Sequence, residues 1–576
     1  MSLQDVNQQD GGDWTLKFDF LGRKDVVVQP SDERLSSDGG LLVIRQFDER
    51  WGLTSGFTEQ LHDSRADPTH SLLDMVRQRV YGILAGYEDQ NDHDALRHDA
   101  VFQLVAGRVP SEQPLASQPT LSRFENAVTP RMLLQLETWF LQQFVERLPP
   151  DTRRLTLDID LFDDPTHGQQ QLTFFHGFYD QYQYLVRVIT CAENDLLTLP
   201  VLLYGTAHAT LGLVADLRRL VTALRERFPD LQLHFRMDSG FASPAVYEAC
   251  EELRVDYTIG LGMNAVLKAR SAEELQAAEK AFAETGAPQR RFTAFEYQAG
   301  TWPQPRWVVV KCEAQAEGTN RRAIVTNRPG ARILPRGAYD EYVERGESEN
   351  RNKELKCELS TDRLSDHRYM ANAFRMYLHC LTYLMLVLIR RAVAAPPAAD
   401  ATGLCRAADG SPIPSASASL LPDAPPPENR AEATTPSESA APLPDMPPAE
   451  NGAASTTAST SAAPLPDAPP AENGAASTTP SASALLLPNA IPPENAPELP
   501  VEAWTGGRRR RHFNRRREHD PLGEGHACTW RMRLIKVAAR IVVRARHVLV
   551  FLSGSWPYLD HYQAIGAAGL ALTPSG

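Results

Sequence analysis

Between Ser36 and Leu148 apolar residues recur every three or four positions, as in HSLLDMVRQRVYGILAGY and PRMLLQLETWFLQQFVERL, with short polar joints between the runs. That period predicts amphipathic helices and an all-helical N-terminal region over residues 1–150. At Arg154 the period becomes two. LTLDIDLF sets Leu155, Leu157, Ile159 and Leu161 on one face and Thr156, Asp158 and Asp160 on the other, which predicts a strand with carboxylates on its polar side. Strand-like runs follow at QLTFFHGFYD, YLVRVITCAE and LLTLPVLLY, then a helical LGLVADLRRLVTALRERF and the strand LQLHFRMD. Ser243 as N-cap and Pro244 in the first turn predict the next helix. FTAFEY, WVVVKCE and RAIVTN predict more strands, and a long helical region runs from about Tyr339 to Val393. Residues 151–393 therefore form an α/β or α+β domain, strands first and helices last. The longest apolar run, Met376 to Ile389, has 14 residues and includes His379, a length that suits a buried helix better than a membrane span.

Composition changes this picture in one place. The chain has 576 residues, enough for two or more folded units, but 23 of its 43 prolines fall between Ala394 and Pro500. There LPDAPPPEN, LPDMPPAEN, LPDAPPAEN and LPNAIPPEN start at Leu421, Leu443, Leu465 and Leu487, a period of 22 residues. The repeats lack the apolar positions that stacked repeats bury, so 394–506 is expected to be a disordered, extended linker. The net charge of −13 is equally uneven. Ala394 to Pro500 holds twelve acids and two arginines, whereas Gly507 to Arg546 holds thirteen Lys/Arg and three acids. The basic segment 507–576 opens with RRRRHFNRRREHD and continues into WRMRLIKVAARIVVRARHVLVFL, which either folds as a small element or returns to the core. Seven dispersed cysteines without a C-x-x-C pair point to neither a disulfide frame nor a zinc ribbon. A start of MSLQDVNQQDGGD has no signal-peptide pattern, and a reducing cytoplasm is the expected location.

The candidate chemistry lies in YDEYVERGESENRNKELKCEL, where Tyr342, Arg345, Glu349 and Lys356 are spaced by three, four and seven and share one helical face. Charged helical faces are usually solvated surface. A guanidinium and an ammonium beside a carboxylate also suit a metal held next to phosphates. Asp160 or Asp158 on the first strand and Asp238 at the end of LQLHFRMD add two hard oxygen donors at strand ends. Two such aspartates and one glutamate can hold two cations about 4 Å apart for in-line phosphoryl transfer.

LDIDLFDDPTHGQQQ, FRMDSGF and Y-(2)-R-(3)-E-(6)-K together resemble the three motifs of insertion-sequence transposases of the DDE type, in the branch with a Tyr-Arg-Glu-Lys signature. LSSDGGLLVIRQFDER, RQRVYGILAGYEDQNDHDALRHD and QPTLSRFEN extend the likeness, which runs from about residue 14 to 393 and resumes near Thr529. The resemblance implies an RNase H-like core with a β-rich insertion (about 285–330) filling the gap from Asp238 to Glu349. It implies Asp160, Asp238 and Glu349 as catalytic metal ligands, with Mg2+ as cofactor and Mn2+ as substitute, and Tyr342, Arg345 and Lys356 on DNA phosphates. Leu161 and Phe162 stand where the family usually has a small residue and Thr, so Asp158 stays open as first ligand, with strand geometry favouring Asp160. Asp163, Asp164 and His167 are expected to brace the adjoining loop. The implied partners are double-stranded DNA, as terminal inverted repeats and target, and a second copy of the chain, with no membrane. The helical domain around ASQPTLSRFENAV is the expected reader of the ends, with backbone contacts from Arg508, Arg509, Arg510 and Arg511. Two other readings share these residues: a non-catalytic DNA-binding derivative, and a metal-dependent nuclease without strand transfer.

Overall fold

The computed structural model describes residues 15–18, 20, 24, 26–110, 112–394 and 526–572. The Pro-rich segment with its four repeats and the arginines Arg508 to Arg511 lie outside the described residues.

The first 150 residues are not all helical. Three short strands, β1 (Leu16–Phe18), β2 (Val26–Val28) and β3 (Arg34–Ser36), precede the helices. Runs of three residues are too short to declare a period. The helices Leu41–Trp51, Leu72–Ala85 and Pro130–Glu146 follow where the three-to-four spacing places them. Ser71 accepts the Asp74 N–H while the Asp74 carboxylate accepts the Ser71 N–H, a reciprocal cap that fixes one helix start. Thr129, ahead of Pro130, caps another.

Nine strands form the central sheet: β4 (Arg154–Pro165), β5 (Phe174–His176), β6 (Gln181–Cys191), β7 (Val201–Leu203), β8 (Gln232–Met237), β9 (Asp256–Leu261), β10 (Gln289–Tyr297), β11 (Arg306–Gln315) and β12 (Gly318–Thr326). Their order is β10-β11-β12-β9-β8-β4-β6-β5, with β7 also on β6. β8 runs parallel to β4 and β9, and every other pairing is antiparallel. The parallel strands need crossovers, supplied by the helices Leu213–Arg227 before β8 and Pro244–Glu252 after it. β10 to β12 extend this same sheet through β12 and β9. The gap from Asp238 to Glu349 is not filled by strands alone, because the helices Ala265–Arg270 and Ala272–Thr285 also lie in it.

The expected long helix after Tyr339 is broken. Helices Pro335–Val343 and Gly346–Lys353 lead into a π turn, Glu354–Glu358, and a 26-residue helix, Tyr369–Ala394, begins only after a polar stretch. The Leu359 N–H bonds Glu354 O, and Ser360 turns left-handed at φ 59, which ends the helical path. The 26-residue helix is long and apolar enough to cross a membrane, yet 83% of its apolar window is buried within the protein. It packs against Leu72–Ala85, Gln118–Asn126 and Pro130–Glu146, with Tyr377 stacked on Phe140. Glu125 sits between Arg79 and Arg375 in this core, so the buried carboxylate is neutralised from both sides.

Residues 526–572 return to the same compact body. β13 (Ala539–Val543) pairs with β14 (Val548–Leu552) and with β3, and Trp530 is fully buried. Gly40 permits the crossing, since a Cβ there would lie 1.8 Å from the Leu534 carbonyl oxygen.

Candidate active site

β4 and β8, adjacent and parallel, end beside each other and carry the two strand aspartates to one place. Asp160 lies within β4, and Asp238 follows β8 directly, capping a short turn by accepting the Gly240 N–H at 2.8 Å. The helix Gly346–Lys353 brings Glu349 above them. A cavity of about 540 Å3 opens between these elements, lined by Asp238, Tyr342, Arg345 and Glu349 and, from the sheet side, by Gly260, Arg321 and Arg322. Gly260 makes room for the Tyr342 phenol, because a Cβ there would lie 2.7 Å from its oxygen and 2.9 Å from the Ser239 nitrogen.

Asp160 is buried and held by three donors: the Leu161 N–H at 2.9 Å, the Ser348 hydroxyl at 3.1 Å and Arg345 at 3.1 Å. Arg345 reaches the exposed Glu349 at 3.5 Å with its other nitrogen. Burial raises the pKa of Asp160 and the charge of Asp238 adds to the rise, against the pull of Arg345. Burial likewise raises the Tyr342 phenol, Arg345 opposes this, and both aspartates reinforce it. The site thus gathers three carboxylates around one guanidinium.

Asp158 stands elsewhere in function, although it shares the polar face of β4. It is fully buried, with Arg236 on both oxygens at 2.7 and 2.9 Å and Arg351 at 3.1 Å. These two guanidinium groups leave neither oxygen for a cation. Lys356 also departs from the expected common face. The π turn carries it away from Arg345 and Glu349 to Asp163, at 2.6 Å, and Asp163 accepts from Gln181 as well. Asp164 is buried, its pKa well raised by burial, with one oxygen taken by the Leu364 N–H at 3.4 Å. Arg321, Arg322 and Ser348 escaped the sequence reading. The adjacent arginines of GTNRRAIVT read as an ordinary polar stretch of a strand, and only the pairing of β12 with β9 brings them to the cavity.

A family model described as Transposase DDE domain group 1 matches residues 18–403, more than half of the chain. The chain belongs to the DDE transposase family. Membership makes DNA a partner of this transposase and transposition its activity, and such transposases generally use divalent metal ions. No curated protein matches the chain. Among the described residues, Glu354, Glu358 and His526 place ligand atoms within 4.8 Å of one another. In the transposase this group is a joint: Arg390 binds both oxygens of Glu354, and the Ala527 and Cys528 N–H groups bond Glu354 and Glu358.

Proposed function

We propose that this chain is the transposase of a bacterial insertion sequence, binding terminal inverted repeats as a homodimer in the cytoplasm and catalysing metal-dependent cleavage and strand transfer. The observation that carries the reading is the gathering of Asp160, Asp238 and Glu349 about Arg345, at the edge of a cavity that Asp238 and Glu349 line together with Arg321 and Arg322. The sheet supports an RNase H-like core: β7, β6 and β4 are antiparallel, and β8 and β9 then run parallel to β4 on its other side.

The donor set suits hard divalent cations. It is all carboxylate oxygen, and the mutual repulsion of Asp160 and Asp238 is of the kind that a cation relieves. Asp160, Asp238 and Glu349 would hold Mg2+ or Mn2+, which supplies an activated nucleophile and neutralises charge on the scissile phosphate. Arg345 is then freed to grip a phosphate oxygen, and Arg321 and Arg322 face the same cavity from the opposite wall. Tyr342 orients Arg345, whose guanidinium lies 6.0 Å from the ring centre. The geometry works chiefly by positioning and charge, and no side chain needs to become covalently attached to DNA.

The test is a cleavage and strand-transfer assay on duplexes carrying the DNA ends that flank the gene, with Mg2+ or Mn2+. The unmodified protein is expected to cut and join, and Glu349→Ala to bind without doing either. Cutting without joining would favour a nuclease, and binding of the ends by both proteins without cutting a non-catalytic derivative. Cutting that survives Glu349→Ala would refute the placement of the site.

A further inference from the structure

The joint between the π turn and the returning segment 526–572 holds more ligand chemistry than a joint needs. Glu354 is fully used, with Arg390 on both of its oxygens and the Ala527 N–H on one of them. Glu358 is not. Its carboxylate accepts the Cys528 N–H at 3.0 Å, the Cys528 thiol lies within hydrogen-bonding reach of it, and His526 Nδ1 stands 3.8 Å from its other oxygen. Among the described residues no guanidinium or ammonium group bonds that carboxylate. An imidazole, a thiol and a carboxylate thus converge at one point near the surface.

At 3.8 Å the nitrogen and the oxygen are too far apart to share a hydrogen. Ligand atoms about 2.1 Å from a tetrahedral zinc ion lie about 3.4 Å from one another, so a small closure of the pair would seat one. The backbone fixes the set. His526 is extended, at φ −70 and ψ 152, and stands as N-cap of the helix Ala527–Trp530, which puts Cys528 in the first turn beside Glu358. Trp530, fully buried, anchors that helix, and Arg531 donates to the Glu358 carbonyl at 2.8 Å. Charge agrees as well: a thiolate and a carboxylate balance a divalent ion, and nitrogen with sulfur selects zinc over Mg2+. The half-exposed imidazole and the exposed thiol give the ion a way in and leave its fourth position to water.

We propose that Glu358, His526 and Cys528 form a zinc site that staples the start of the returning C-terminal segment to the π turn. None of its ligands belongs to the candidate active site, and the site is independent of the reaction performed there. Glu358 and Cys528 are 170 positions apart, and an ion that clips so long a loop removes much conformational freedom from the unfolded chain. Only one of the three ligands is a thiol and they come from two distant stretches, so no C-x-x-C spacing announces them.

The experiment strips the full-length protein with a chelator under reducing conditions and titrates it with Co2+ and then Zn2+, in excess Mg2+ so that the candidate catalytic carboxylates are occupied. It reads thiolate-to-cobalt charge-transfer absorption, bound zinc and the melting temperature. One equivalent of Co2+ is expected to give the charge-transfer band and one equivalent of Zn2+ to abolish it, with Tm rising by about 3 °C. Cys528→Ser is expected to lose the band, and His526→Ala to bind zinc at least about tenfold more weakly. His526→Cys is expected to keep the metal and intensify the band, a gain that misfolding would not give. Cys357→Ser, which removes the exposed thiol next to Glu358 in sequence, should leave the band unchanged. Absence of the band from the unmodified protein would overturn the site, as would a band that survives Cys528→Ser or disappears with Cys357→Ser. An equal zinc-induced rise of Tm in Cys528→Ser would also overturn it, placing the ion elsewhere.

Discussion

Asp158 and Asp160 share the polar face of β4, yet Asp158 is enclosed by Arg236 and Arg351, whereas Asp160 shares the single guanidinium of Arg345 with Glu349. Around Asp158 the charges nearly balance: Asp158 and Asp195 face Arg236 and Arg351, with Glu344 at the outer edge of Arg236. Around Asp160 itself they do not, since Arg345 is divided between Asp160 and Glu349 and the charge of Asp238 repels Asp160, while Arg321 and Arg322 line another wall of the cavity. A balanced buried cluster holds elements together, and here it ties β4, β8 and the helix Gly346–Lys353 into one frame. An unbalanced one invites a cation. Neighbouring carboxylates of identical chemistry are thus divided between scaffold and site by the arginines that reach them.

The widest separation should appear in activity. Glu349→Ala is expected to lower cleavage on the order of 10^3-fold while leaving thermal unfolding unchanged, since Glu349 is largely exposed; a large loss of stability would break the comparison. Next, Asp158→Ala should cost about 3–5 kcal/mol by stranding Arg236 and Arg351 without their acceptor, measured by denaturant unfolding. Asp160→Asn should be no less stable than the unmodified protein, because it removes a charge that repels Asp238; equal destabilisation by both changes would erase the distinction. Third, saturating Mg2+ should stabilise the unmodified protein by about 2–3 kcal/mol and do little for Asp160→Asn in the same melting experiment.

A smaller effect concerns acid. Burial pushes the Glu341 carboxyl up, but His234 and Arg328 outweigh it and hold the group at about 2, below the ordinary 4.5. A folded pKa below the unfolded one gives stability that is present above about 4.5 and lost as pH falls from there towards about 2. Glu341→Gln should therefore flatten the acid limb of a stability-versus-pH curve, and an unchanged limb would show that the scaffold side is not held by this charge. The least effect is expected from deleting Ala394 to Pro500, with activity within about threefold, since loop closure grows only logarithmically with length. Glu354 binds Arg390 near the exit and the Ala527 N–H at the return, so the two ends of the excursion already meet.

Much of this was legible from local pattern. The alternation of LTLDIDLF, the Ser243–Pro244 helix start and the strands FTAFEY, WVVVKCE and RAIVTN stand in the structure. The family resemblance carried by the three motifs agrees with the family model that matches residues 18–403. β1, β2 and β3 went unread because three residues hold no period, and β3 finds its partner, β13, about 500 residues further along the chain. Lys356 falls on the face of Glu349 only in a regular helix, and the π turn at Glu354–Glu358 rotates it to Asp163.

Periodicity and motif spacing sufficed to locate the strands, helices and acidic residues, because side-chain alternation in a strand and capping at a helix start depend on neighbours a few positions away. They did not distinguish Asp158 from Asp160, nor reveal Arg321 and Arg322 as lining the cavity beside Asp238 and Glu349. Those assignments depend on which strands pair and which guanidinium groups arrive from 185 positions away, for Arg345 on Asp160, and 193, for Arg351 on Asp158, and charge balance exists only once the chain has folded to bring them there.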